Sequence, residues 1–92
     1  MDFDGYVKFL EQQGLSPAGM KTRKRMLKDA DDYIEKSLDE VVVDDKEMYF
    51  ALIKLQEVDN PKHPPRQNAL RKYYTFKNGK EFPRLNRFQI EI

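Results

Sequence analysis

Among the 92 residues, His63 is the one side chain whose ordinary pKa suits general acid–base work near neutrality. It sits in Asn60-Pro61-Lys62-His63-Pro64-Pro65, a stretch that cannot be helical because its prolines remove donors and push the residues before them to extended backbone. The expected role is a solvated loop histidine or a phosphate contact. Paired acids stand at Asp31-Asp32 and Asp44-Asp45, but sequence neighbours on a helix point about 100° apart and form no shared-proton pair. With no cysteine and a single histidine, neither a thiolate nucleophile nor a zinc site is expected. No glycine-rich phosphate loop and no calcium-loop spacing occurs in the sequence. No catalytic residue, metal or cofactor is therefore assigned, and the chain is not expected to be an enzyme.

The chemistry that remains belongs to cations. A formal net charge of +1 hides a segregation along the chain. Lys21, Arg23, Lys24, Arg25 and Lys28 form one block without an acid. Asp39, Glu40, Asp44, Asp45, Glu47, Glu57 and Asp59 then face only Lys46 and Lys54. From Lys62 onward come Arg66, Arg71, Lys72, Lys77, Lys80, Arg84 and Arg87, against Glu81 and Glu91. On a helix, Lys21, Arg25 and Lys28 follow i, i+4, i+7 spacing and share a face, with Lys24 beside it. In the later block, Arg66 and Gln67 fall in the first turns of a helix, and Arg71 and Lys72 stand beside or opposite its apolar stripe. Cations in the first half of a helix oppose its macrodipole and cost stability, so an external anion is the expected compensation. Double-stranded DNA fits, because each neutralised phosphate releases counterions and Lys or Arg can also reach base edges. The bland alternative is a solubilising surface on a chain that is 36% charged.

The elements that must position these cations are helices. A first amphipathic helix over 2–13 places Phe3, Tyr6, Val7 and Leu10 on one face and stops at Gly14. Ser16 followed by Pro17 starts a second, to about 37, with Met20, Leu27, Ala30 and Ile34 inward. Asp44 caps a third that runs to about 58, with Met48, Leu52 and Leu55 inward and Phe50, Ala51 and Ile53 widening the face. A fourth, over 65–77, turns Leu70, Tyr73 and Phe76 inward and closes at Asn78-Gly79. The fold class is all-α: four helices over residues 1–79, with a tail over 80–92. In the tail, Leu85, Phe88, Ile90 and Ile92 alternate loosely, as in a strand or an extended strap. The expected core holds Leu10, Leu27, Ile34, Leu52, Leu70, Tyr73 and Phe76. The longest apolar run, Val41-Val42-Val43, is far below the roughly 20 residues of a membrane span. No secretory leader pattern precedes it, so no membrane partner and a cytoplasmic location are expected.

The order of motifs resembles a known family. Phe9-Leu10-Glu11-Gln12-Gln13-Gly14-Leu15-Ser16-Pro17, followed by a basic helix, is similar to the opening of the core-binding, SAM-like domain of tyrosine recombinases and phage integrases. Val43-Asp44-Asp45-Lys46-Glu47 resembles the entry to that family's third helix. Asn68-Ala69-Leu70-Arg71-Lys72-Tyr73-Tyr74-Thr75-Phe76 resembles its fourth. The resemblance spans nearly everything from Phe3 to Gly79. It implies a four-helix SAM-like bundle of two crossed helical hairpins that clamps one side of duplex DNA with its second and fourth helices. The implied contacts are Lys21, Lys24, Arg25 and Lys28, then Arg66, Gln67 and Arg71. The chain departs from the family where Pro64-Pro65 replace a polar lead-in. The family's catalytic Arg, His-x-x-Arg and Tyr have no counterpart after Gly79, so the chain is expected to be either an excised N-terminal domain with a separate catalytic domain downstream or a free-standing relative. The competing class is a helical protein-interaction module that binds an acidic partner or self-associates through its third helix or tail.

Overall fold

The structure, a computed structural model, describes residues 1–87. Over these residues it is all-α, with five helices and one short 3-10 turn. Helix α1 (Phe3–Gln12) begins at Asp2, whose carboxylate accepts the Gly5 amide at 3.0 Å. Helix α2 (Pro17–Ile34) begins at Ser16 as the sequence predicts: the hydroxyl accepts the Gly19 amide at 3.1 Å and Pro17 fills the first helical position. It stops at Ile34, short of the expected end near 37, because Glu35 adopts the left-handed conformation at φ 58°. Glycine is the usual sequence signal for such an exit, and none is present.

The early stop releases Leu38 to open a further helix, α3 (Leu38–Val42), which the sequence reading did not include. Its Leu38, Val41 and Val42 stand at i, i+3, i+4 and are all buried. Asp39 and Glu40 in its first turn suit the positive end of the dipole. Helix α4 (Asp45–Leu55) is capped by Asp44, which accepts the amides of Lys46 (3.0 Å) and Glu47 (3.4 Å). It buries Met48, Ala51, Leu52 and Leu55, whereas Phe50 and Ile53, expected to widen the inward face, lie exposed. Helix α5 (Pro65–Asn78) ends where expected, at Gly79 with φ 70°, whose amide returns to the Thr75 carbonyl at 2.8 Å.

α2 and α5 pack along each other at the centre of the fold, α1 and α4 each contact both, and α3 rests on α4 and α5. Leu10, Leu27, Ile34, Leu52, Leu70 and Tyr73 are buried as predicted, but Phe76 is only partly so. It closes the edge of an aromatic group with Tyr6, Phe9 and Tyr73. The buried phenols are satisfied: Tyr6 donates to the Ala69 carbonyl (3.3 Å), Tyr73 to Asp39, and Tyr74 to Asp45 (2.8 Å). From Lys80 to Arg87 the chain runs as an irregular strap. Phe82 is buried in the common core and Leu85–Arg87 form the 3-10 turn. Phe88, Ile90 and Ile92 of the expected alternation lie outside the described residues.

Candidate nucleic-acid interface

The outer face of α5 carries Asn68, Arg71, Lys72 and Thr75 at i, i+3, i+4, i+7, opposite the face that buries Leu70, Tyr73 and Tyr74. These four line a concavity of about 470 Å³. Arg23 of α2 adds another wall, and the strap adds Glu81, Phe82 and Arg84. A second hollow, about 390 Å³ and lined by Thr22, Met26, His63 and Pro65, shares Arg23 and Asn68 with the first. Together they make a groove along the seam of α2 and α5.

The strap is fixed by packing and by charge-assisted bonds. Phe82 meets Tyr74 edge to face at 5.2 Å. Arg71 Nη1 donates to the carbonyls of Phe82 (3.0 Å) and Pro83 (3.2 Å), with the guanidinium over the Phe82 ring. This brings Arg84 beside Arg71. Burial first, and the Arg84 charge second, lower the pKa of Arg71, with Glu81 acting in the opposite sense. Arg23 lies close enough to Tyr6 to oppose the rise that burial imposes on that phenol. None of Arg23, Arg71, Lys72 and Arg84 forms an ion pair among the described residues. The groove is therefore a convergence of cations from three separate segments, with Thr22, His63, Asn68 and Thr75 as further polar groups and Glu81 as the one acid among its described lining residues.

The cations singled out in the sequence divide into three sets. Lys21, Arg25 and Lys28 are exposed on the side of α2 turned away from Leu27, with Lys24 partly buried beside them. Lys28 Nζ sits 4.5 Å above the Phe3 ring. Arg66 and Gln67 are engaged within the fold. Pro64, at the start of α5, offers no side-chain cap, and Asp59 takes over by accepting the amides of Arg66 (3.2 Å) and Gln67 (2.8 Å). The Arg66 guanidinium pairs with the same carboxylate at 3.2 Å and reaches Asp29 at 3.8 Å, while the Gln67 residue is buried. Arg71 alone of the predicted α5 residues lines the groove.

Of the groove cations, Arg23, Lys72 and Arg84 were not among the implied contacts. Arg23 follows Met20 by three and precedes Leu27 by four, so its helical position on the packed face was a legible signal. Arg84 had no such signal, since only the folding back of the strap brings it in. Among the described residues no group of acids and histidine is arranged to hold a metal ion, and no helix is long and apolar enough to cross a membrane. Comparison of the chain with family models, curated proteins and solved structures finds no match, so its functional reading rests on this geometry.

Proposed function

We propose that the protein is a DNA-binding module of the kind found in phage-type integrases and site-specific recombinases, working in the cytoplasm on duplex DNA. The observation that carries this reading is the groove. Two guanidinium groups, Arg71 and Arg84, line one concavity and the Arg84 charge disfavours that of Arg71, with Arg23 and Lys72 beside them and, among the described residues, no ion-paired carboxylate on any of the four. Like charges gathered at a concave surface favour an anion, and a phosphodiester backbone supplies a row of them. Asn68 and Thr75 can donate to phosphate or sugar oxygens along the same face. The Lys21, Arg25 and Lys28 stripe extends positive charge around α2.

The test is titration of a short duplex at several salt concentrations. Affinity is expected to fall with a log–log slope of about −0.9 per neutralised phosphate. Replacing Arg23, Lys72 and Arg84 together by glutamine should make that slope shallower by up to about 2.7. The matched substitution of Lys8, Lys36 and Lys54 should change it little. A larger loss from replacing Lys21, Arg25 and Lys28 than from the groove set would move the contact surface to the outer side of α2. No duplex binding at low salt, or equal losses from all three sets, would overturn the proposal.

A further inference from the structure

Apart from Met1, every large hydrophobic side chain exposed among the described residues lies on α4 or beside it: Val43 (76%), Phe50 (53%), Ile53 (38%) and Val58 (42%). The outward face of α4 reads Lys46, Phe50, Ile53, Glu57 at i, i+4, i+7, i+11, one continuous helical stripe. The backbone carries this stripe past Leu55. Gln56 remains right-handed helical, and the amides of Gln56 and Glu57 still reach the carbonyls of Leu52 (3.2 Å) and Lys54 (3.1 Å). The stripe thus has a cation at its N-terminal end, an anion at its C-terminal end and two apolar side chains between. It shares no residue with the groove.

We infer that this face pairs with the same face of a second copy, antiparallel and about a two-fold axis. Phe50 lies four residues after Lys46, and Ile53 lies four residues before Glu57. Reversing one helix against the other about the midpoint of Ala51 and Leu52 therefore sets Phe50 against the partner's Ile53 and Lys46 against the partner's Glu57. The stripe is self-complementary only in this orientation; a parallel pairing would set lysine against lysine and glutamate against glutamate. Such an isologous contact closes as a dimer. The antiparallel helix dipoles add to it. Glu57 Oε2 accepts the Tyr33 hydroxyl at 2.6 Å, which orients the carboxylate and leaves its second oxygen for the partner's lysine. One helix face is small against the roughly 1,600 Å² of a standard interface, so the dimer is weak and concentration-dependent.

Sedimentation equilibrium of the full chain over a concentration series, without DNA, tests this. A monomer–dimer equilibrium is expected, and a wild-type chain that stays monomeric at the highest concentration reached overturns the inference. Lys46→Glu alone and Glu57→Lys alone each set like charges opposite one another twice. Each should weaken association by about tenfold or more. Mixing the two variants should restore it in a heterodimer, and the double variant should dimerise like the wild type. Phe50→Asp should abolish dimers while far-UV circular dichroism stays unchanged, because the side chain is outside the core. Dimers that persist unchanged in Phe50→Asp, or that ignore both charge reversals, would place the contact elsewhere and overturn the inference.

Discussion

A methyl group at residue 5 would have nowhere to go. A Cβ built on Gly5 runs into the Asp2 carboxylate that caps α1 and comes within 2.7 Å of Phe76 Cζ from α5. In an exposed helix, glycine to alanine gains about 1 kcal/mol. Here the capping bond and the seat of Phe76 are both disturbed, so Gly5→Ala should instead cost about 1–3 kcal/mol in urea unfolding. A gain in stability would show that α1 can withdraw from α5 at little cost. The tyrosines make a second statement at this scale. Burial, with smaller help from Asp39, holds Tyr73 far above the ordinary phenol range, and burial against the opposing Arg23 charge does the same for Tyr6. Tyr74 is pushed up to about 12 by burial and by its bond to Asp45. In the unfolded chain these phenols ionise near about 10. Above that pH the unfolded state binds fewer protons than the folded one. The contribution to stability is therefore complete below about pH 10 and is lost as pH rises toward the folded values, at up to ~1.4 kcal/mol per pH unit for each phenol. Tyrosinate absorbance from these three residues and loss of helical circular dichroism should appear together in an alkaline titration. Ionisation of all three well before unfolding would contradict their burial.

At the level of elements, α5 depends on a residue outside itself. A helix start leaves amides without partners, and Pro64 has no side-chain acceptor for them. Asp59 reaches across the proline-rich loop to accept two amides and the Arg66 guanidinium, with its carboxylate fully enclosed. Removing it strips a cap and bonds made by a charged acceptor. Asp59→Ala should accordingly cost about 2–4 kcal/mol by chemical denaturation. Asp59→Asn, which keeps one acceptor oxygen, should cost less. Equal and negligible effects would mean that water caps α5 as well as Asp59 does. Helical spacing placed Arg66 and Gln67 correctly in the first turn of α5. What it could not supply was the course of the loop, which decides that this turn faces an acid of the same chain.

For the molecule as a whole, stability and binding surface meet in the strap. Phe82 is packed on Tyr74 and held from behind by Arg71, and its position sets that of Arg84 in the groove. Phe82→Ala should lower stability by about 2–4 kcal/mol, since it empties a core site near the end of the described chain. It should also make the salt slope of DNA binding shallower by about 0.9, through the loss of one phosphate contact. A variant that loses stability but keeps the slope would separate Arg84 from the interface while leaving the rest of the groove intact.

The sequence alone determined the all-helical class, the starts of α2 and α4, the end of α5 and most of the core. These are local matters: a serine before a proline, an aspartate before an amphipathic run, a glycine after one, and apolar residues at a period of 3.6. It also located the two basic segments, because charge is carried by composition. Only the tertiary structure decided which cations share a surface. Arg23, Arg71, Lys72 and Arg84 are scattered through the chain, and they meet because α2 packs along α5 and the strap folds over it. Lys21, Arg25 and Lys28, adjacent by helical spacing, remain on another side. Tertiary packing likewise turned Arg66 and Gln67 to the service of Asp59 and left Phe50 and Ile53 uncovered. Helical periodicity fixes which side chains share a face of one helix, whereas the neighbour that face receives is fixed by loop paths and by competition for buried area across the whole fold.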